Sequence, residues 1–338
     1  MKKKFLKNLL YRLIIYALGL LLGDVVYILT HNWTITPPQI PSFEYINEIF
    51  SDSKNNVYFL AYKNNNVYLC KYKKHKYSII KTFHFEAKPY AHIFQLYSGE
   101  WLFWGNLKNG FSFWYLLDKH FYLRNSRFIH EHLDTIIRAD NGFICYFIDY
   151  THGYTPLNRF ENRDYNGNWT WKLKFTNKKV QLFWPADAYH LIFLTISYDY
   201  SRYYLYEADV RNSTFLIKKI PYPPDDFNAR YPFFLTRDSI FGIRDYHIYI
   251  FLKPDFKFLK KLNLENSIYK ILCLHKNYLC WQTYLDYIVY ENLKKQKERV
   301  IKLKKGTQIF TCTIVKNHIY IGGQYKHNAF IYEKRLKK

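Results

Sequence analysis

The chain has 338 residues, 49% of them hydrophobic and 21% aromatic, with 35 Tyr and 28 Phe but only 12 Gly and 11 Pro. That is material for one large domain or two ordinary ones, and it excludes long disordered linkers. The formal net charge of +23 is spread along the chain together with excess Asn, Ile and Tyr, so it reads as a solvated basic surface and not as a nucleic-acid footprint.

The N-terminus carries Lys2, Lys3, Lys4, Lys7 and Arg12, a cytoplasmic basic stretch over residues 1–12. An apolar segment follows over 13–30, interrupted by Asp24; its 18 residues approach the ~20 that cross a bilayer as a helix. No Lys or Arg appears behind it until Lys54. Positive charge held on one side predicts a single transmembrane helix with the N-terminus in the cytoplasm and the rest periplasmic or extracellular. A cleaved signal peptide is the competing reading, but Ala17-Leu18-Gly19, the best small-residue cleavage pattern, falls inside the apolar run. Residues 31–42 hold three prolines and read as a short stiff spacer.

From Phe43 to the end the texture is uniform. Aromatic and β-branched residues dominate, no amphipathic pattern reaches helical length, and polar turns alternate with short apolar runs, so the domain 43–338 is all-β. Seven polar turns precede strongly apolar strands at Lys54-Asn55-Asn56, Ser98-Gly99-Glu100, Asp140-Asn141-Gly142, Tyr189-His190, Arg237-Asp238-Ser239, Lys276-Asn277 and Lys316-Asn317. Several of these strands, such as Val57–Tyr62 and Phe143–Ile148, are apolar on both faces. A Tyr-rich strand usually follows (Val67–Tyr72, His247–Leu252), then a Lys-rich one (Tyr77–Phe83, Phe256–Leu262). A period of about 40–45 residues built from short strands, with the middle strands buried on both sides, resembles the β-propeller superfamily. The resemblance is one of architecture; the WD dipeptide and the kelch glycine pairs are missing. It implies about seven four-stranded blades, with six or eight inside the counting error. The last unit lacks an outermost strand, which a segment before Phe43 is placed to supply.

Candidate site residues come from departures from the repeat. Residues 149–169 read as a long insertion carrying Tyr150, His152, Tyr154, Arg159, Arg163, Asp164, Tyr165 and Trp169, a mixture suited to sugar or peptide recognition. The Pro-rich stretch 221–230 adds adjacent carboxylates at Asp225 and Asp226. In a propeller both would lie on the face of the blade-connecting loops. His130-Glu131-His132 puts two imidazoles on one side of a strand with no third ligand in view. Of the five cysteines, Cys70, Cys145, Cys273, Cys280 and Cys312, none forms a CxxC pair, so no metal or cofactor is assigned. Cys273 and Cys280 flank a turn symmetrically, within reach of a cross-strand disulfide.

No GxSxG, HExxH, P-loop or GxGxxG pattern occurs. The expectation is therefore a binding or scaffold module for a protein or glycan partner. The alternative is a carbohydrate-active hydrolase or lyase using loop-face carboxylates such as Asp164, Asp225 or Asp226.

Overall fold

The computed structural model describes residues 34–149, 156–176, 180–196, 203–212, 214–219, 233–235, 239–244, 246–253, 257–275, 278–283, 287–293 and 297–336. The candidate membrane span 13–30 lies outside them, and none of the described residues forms a helix long and apolar enough to cross a bilayer. They form seven antiparallel four-stranded sheets. The chain is a seven-bladed β-propeller. Blades one to six cover 45–84, 89–129, 133–176, 180–219, 233–263 and 270–301, each with its strands side by side in chain order. First strands contact each other between blades six and seven, seven and one, and one and two, and the fourth strands are outermost.

The seventh blade is made from both ends of the described chain. Thr307–Val315, His318–Tyr325 and Asn328–Arg335 are its inner strands, and Gln39–Ile40 pairs antiparallel with Asn328–Arg335 as the outermost. Just upstream, Ile35 bridges Leu303, donating its amide to the Lys302 carbonyl (2.9 Å) and accepting from the Lys304 amide (3.0 Å). The segment before Phe43 thus completes the last blade, and its described contacts, at Ile35 and Gln39–Ile40, fall inside the stretch read as a spacer. Prolines at 37, 38 and 41 fit here because an outermost strand leaves one side of its backbone unpaired.

Alternation within the second strands explains why they are apolar throughout. In Val57–Lys63, Tyr58, Leu60 and Tyr62 pack with residues of blade two, whereas Val57, Phe59 and Ala61 pack with residues of blade seven. The period-two pattern of a strand is kept, but each face meets another blade instead of water. The buried side chains fall into seven clusters, each spanning one blade interface. Gly322 marks how closely blades seven and one approach: a Cβ there would stand 2.8 Å from Ile49 Cδ1 and 3.0 Å from Ile46 Cγ2. The outermost strands are wet, as their lysines predict; Lys76–His84 is mostly exposed.

Two features of the first strands shape the axis. In five of the seven a bulge near the start shifts the register with the second strand, at Asn47, Asp134, Gln181, Leu272 and Phe310. Such bulges re-aim a side chain while preserving the ladder on either side. The backbones are also tied across blades by side chains. The Tyr62 hydroxyl bonds both the Ala91 amide and carbonyl (3.1 Å each), Leu133 N donates to Ser112 Oγ (2.9 Å), and Val180 N donates to Tyr146 Oη (3.2 Å). Each tie satisfies polar backbone that the blade's own sheet cannot reach.

Closure can be checked directly. Ile35 packs with the blade six–seven cluster and Ile40 with the seven–one cluster. The double variant Ile35→Asp/Ile40→Asp should release the closing segment and lower the melting temperature by roughly 5–10 °C, measured by circular dichroism on the solubilised chain.

Candidate functional site

Propeller topology places the second-to-third-strand loops and the blade-connecting loops on one face. The first-to-second and third-to-fourth turns occupy the other. Two pockets open on the connecting-loop face.

The first, of about 330 Å³, forms a mouth between the connecting-loop ends of the first and second strands of blades seven, one and two. Its walls combine Tyr45, Tyr62, Tyr90 and Phe310 with Asn47, Gln308, Gln324, Glu44 and Lys88. Tyr45 stacks on Tyr62 at 4.7 Å and 8°, Phe310 meets its edge at 5.7 Å and 77°, and the Lys88 ammonium lies 5.2 Å from the Tyr45 ring centroid. Asn47 and Phe310 reach this wall because they are bulged residues of their strands. Burial, then the neighbouring Glu44 carboxylate, pushes the Tyr45 phenol well up, so it stays a protonated donor at neutral pH. Asn47 Nδ2 donates to the Ala91 carbonyl (3.2 Å) and Gln324 Nε2 to the Glu44 carbonyl (3.1 Å), which fixes both amides.

Next to the mouth, His92 Nδ1 lies 3.4 Å from Glu48 Oε2, and its ring packs against Trp104 at 4.9 Å with a tilt of 34°. Burial alone would lower the His92 pKa, but the Glu48 hydrogen bond and charge outweigh burial and Lys270, and the net direction is up. A histidine raised in the folded state contributes stability that is complete below its unfolded pKa, near 6.5. That contribution disappears as pH rises through the folded value.

The second pocket, of about 640 Å³, lies between blades two and three and is lined by His130, Glu131, His132, Phe147, Ile148, Asp149, Leu157, Arg159 and Lys174. Here the His-Glu-His stretch meets one of the predicted binding arginines. Arg159 pairs with Glu131 and lies 4.2 Å from the centroid of the Phe147 ring. The His130 ring packs on Phe111 at 4.3 Å.

The remaining predicted residues do not converge here. The insertion is shorter than expected, because Leu157–Asp164 is the third strand of blade three and Trp169–Thr176 the fourth. Arg163 is buried, 3% exposed, between Glu161 (Nη2 to Oε2, 2.5 Å), the Gly167 carbonyl (2.9 Å) and the rings of Trp114 and Trp169. It cannot contact a partner. Asp164 caps the hairpin turn on the opposite face: Oδ1 accepts from the Asn166 and Asn168 amides (2.8 Å each) and Oδ2 from Asn168 Nδ2 (3.2 Å). Its carboxylate is occupied by the turn and not presented for acid–base work. Tyr165 donates to the Asp140 carbonyl, and Trp169 lies among Arg127, Arg163 and Lys172. Both are at the far end of the blade from the mouth. Tyr150, His152, Tyr154, Asp225 and Asp226 lie outside the described residues. Cys273 and Cys280 face each other in register as expected, but no disulfide joins the five cysteines.

Sequence reasoning missed the mouth and the buried charges alike. Arg159, Glu161 and Arg163 share one face of a strand, with Glu161 only 4% exposed and reached by Arg159 Nε (3.3 Å) and Lys172 Nζ (3.6 Å) as well as Arg163. No protein-family model matches the chain, and no curated protein matches it in sequence.

Two outcomes follow. Arg163→Ala strips the closest partner from a buried carboxylate and should cost about 3 kcal/mol in urea unfolding; in Glu161→Leu/Arg163→Met most of the loss should return. His92→Gln should leave stability at pH 8.5 nearly unchanged and reduce it at pH 5.5, flattening the pH profile of the melting temperature.

Proposed function

We propose that the chain is a membrane-tethered, extracytoplasmic propeller that binds a short glycan at the mouth between blades seven, one and two. The observation that carries this reading is the convergence of Tyr45, Tyr90 and Phe310 with Asn47, Gln308 and Gln324 in one pocket. Flat rings take the apolar faces of pyranose rings, and fixed amides with tyrosine hydroxyls match the hydroxyl rim. A pocket of this size, mostly ring-walled with a few placed polar groups, has the form of a small-molecule site. Lys88 adds a cation that would favour a sugar bearing a carboxylate.

The tether rests on the 13–30 apolar segment and the basic residues held to its N-terminal side. It is a reading of the sequence, and it sets the mouth in a compartment where surface glycans occur. A propeller is also a common platform for protein partners, and the same face would serve one. The hydrolase alternative is left with Asp225 and Asp226, since the Asp164 carboxylate is taken up by its turn.

Binding is tested with detergent-solubilised full-length protein on a glycan array, followed by titration calorimetry of the hits. Tyr90, 57% exposed, and Phe310 can be truncated without opening a blade interface. Tyr90→Ala/Phe310→Ala should weaken binding at least ~10-fold, the loss of roughly 1.4 kcal/mol, while Trp169→Ala on the opposite face should not. No binding to any glycan, with a stoichiometric protein co-purifying instead, would overturn the glycan assignment.

A further inference from the structure

A second site, on a different part of the molecule, is formed by cysteines. Cys273 and Cys280 lie on the first and second strands of blade six, and Cys312 on the first strand of blade seven. Their three sulfurs lie within 4.8 Å of one another, and Cys273 Sγ is 3.2 Å from Cys312 Sγ. Among the described residues this is the one group of three or more metal-ligating side chains whose donor atoms converge. The convergence follows from the repeat. Cys273 and Cys312 are 39 residues apart, about one blade, so they occupy matching strands of adjacent blades. Both strands bulge beside the cysteine, at 271–273 and 309–311.

We propose that Cys273, Cys280 and Cys312 form a trithiolate site for one soft monovalent metal ion of the copper(I) type, binding blade six to blade seven. Three sulfurs around an ion at ~2.3 Å stand about 4.0 Å apart, within a small side-chain adjustment of the observed spacing. Thiolate ligands select soft ions such as copper(I), zinc and iron–sulfur clusters. Structural zinc takes four ligands, and no fourth His, Cys, Asp or Glu joins this group among the described residues. Three-coordination with sulfur is ordinary for copper(I). The surroundings are apolar, with Ile288, Ile309, Ile314, Ile319 and Tyr290 in the same cluster.

Binding forms three copper–sulfur bonds, and each thiol that becomes a thiolate releases one proton to the buffer; no electron is transferred. Protons compete with the ion for the thiolates, so affinity should fall as pH drops. Cys280 and Cys312 are buried and Cys273 is half-buried.

The test uses reduced, full-length protein under anaerobic conditions, titrated with copper(I) in competition with bicinchoninate, in parallel with zinc(II). One copper(I) per chain is expected, with affinity falling at least ~100-fold in Cys273→Ser and unchanged in Cys70→Ser. Should the serine variant misfold, X-ray absorption at the copper edge of the wild-type complex gives a separate reading, with three sulfur neighbours expected. Two sulfur neighbours or fewer, preference for zinc(II), or a Cys273–Cys312 disulfide in the protein as isolated would each overturn the assignment.

Discussion

The ring has to close. Every blade buries both faces of its second strand against its neighbours, so no blade is stable at an open end, and the whole core depends on the contact between blades seven and one. That contact is secured three times over. Gln39–Ile40 supplies the missing outer strand, Ile49 N donates to the buried Thr311 Oγ1 (3.1 Å), and Gly322 lets the two inner strands approach. Circular closure leaves no buried sheet face unpaired, which is the general solution to exposed strands in repeat folds. The closing segment also couples the two halves of the reading. It lies immediately before the first described inner strand and after the proposed membrane span, so it would anchor the domain and hold the ring shut at once.

Closure has a chemical consequence at the axis. Inner strands would otherwise present unpaired backbone at the blade seams, and side chains such as Tyr62, Ser112 and Tyr146 bridge those seams. Bulges free a residue per strand to point elsewhere. In blades one and seven these residues are Asn47 and Phe310, and they help wall the mouth. The same irregularity beside Cys273 accompanies the gathering of the sulfurs. Local interruptions of an otherwise repetitive ladder therefore accompany both proposed sites, as expected if functional positions break local rules.

Some of this was legible in the sequence. Val57–Tyr62 and Phe143–Ile148 could be read as two-sided strands because nothing polar interrupts them, and the Lys-rich outer strands follow from their wet faces. The period pointed to about seven blades, with six or eight within its error, and the structure has seven. The first strands were harder: Tyr45–Ser51 has a mixed burial pattern, since the bulge at Asn47 breaks its alternation. Leu157–Asp164 reads as a polar loop because Arg159, Glu161 and Arg163 compensate one another in the interior, and alternating charges on a strand look the same in sequence whether that face is wet or buried. The mouth draws on Tyr45, Tyr90 and Phe310, which come together only when the ring closes. Cys312 was separable from Cys273 by one repeat, a signal that was present in the spacing and is decisive once the strands are aligned.

The proposed loop-face binding site is most directly tested by photo-crosslinking in the native membrane. Tyr90 and Tyr122 belong to the same blade, are both exposed, at 57% and 70%, and lie at opposite ends of it. A benzophenone amino acid at each position, followed by irradiation and mass spectrometry, compares the two faces in one background. Adducts from position 90 and none from position 122 are expected if the mouth is the occupied face. Adducts from 122 alone, or equal yields from both, would contradict it.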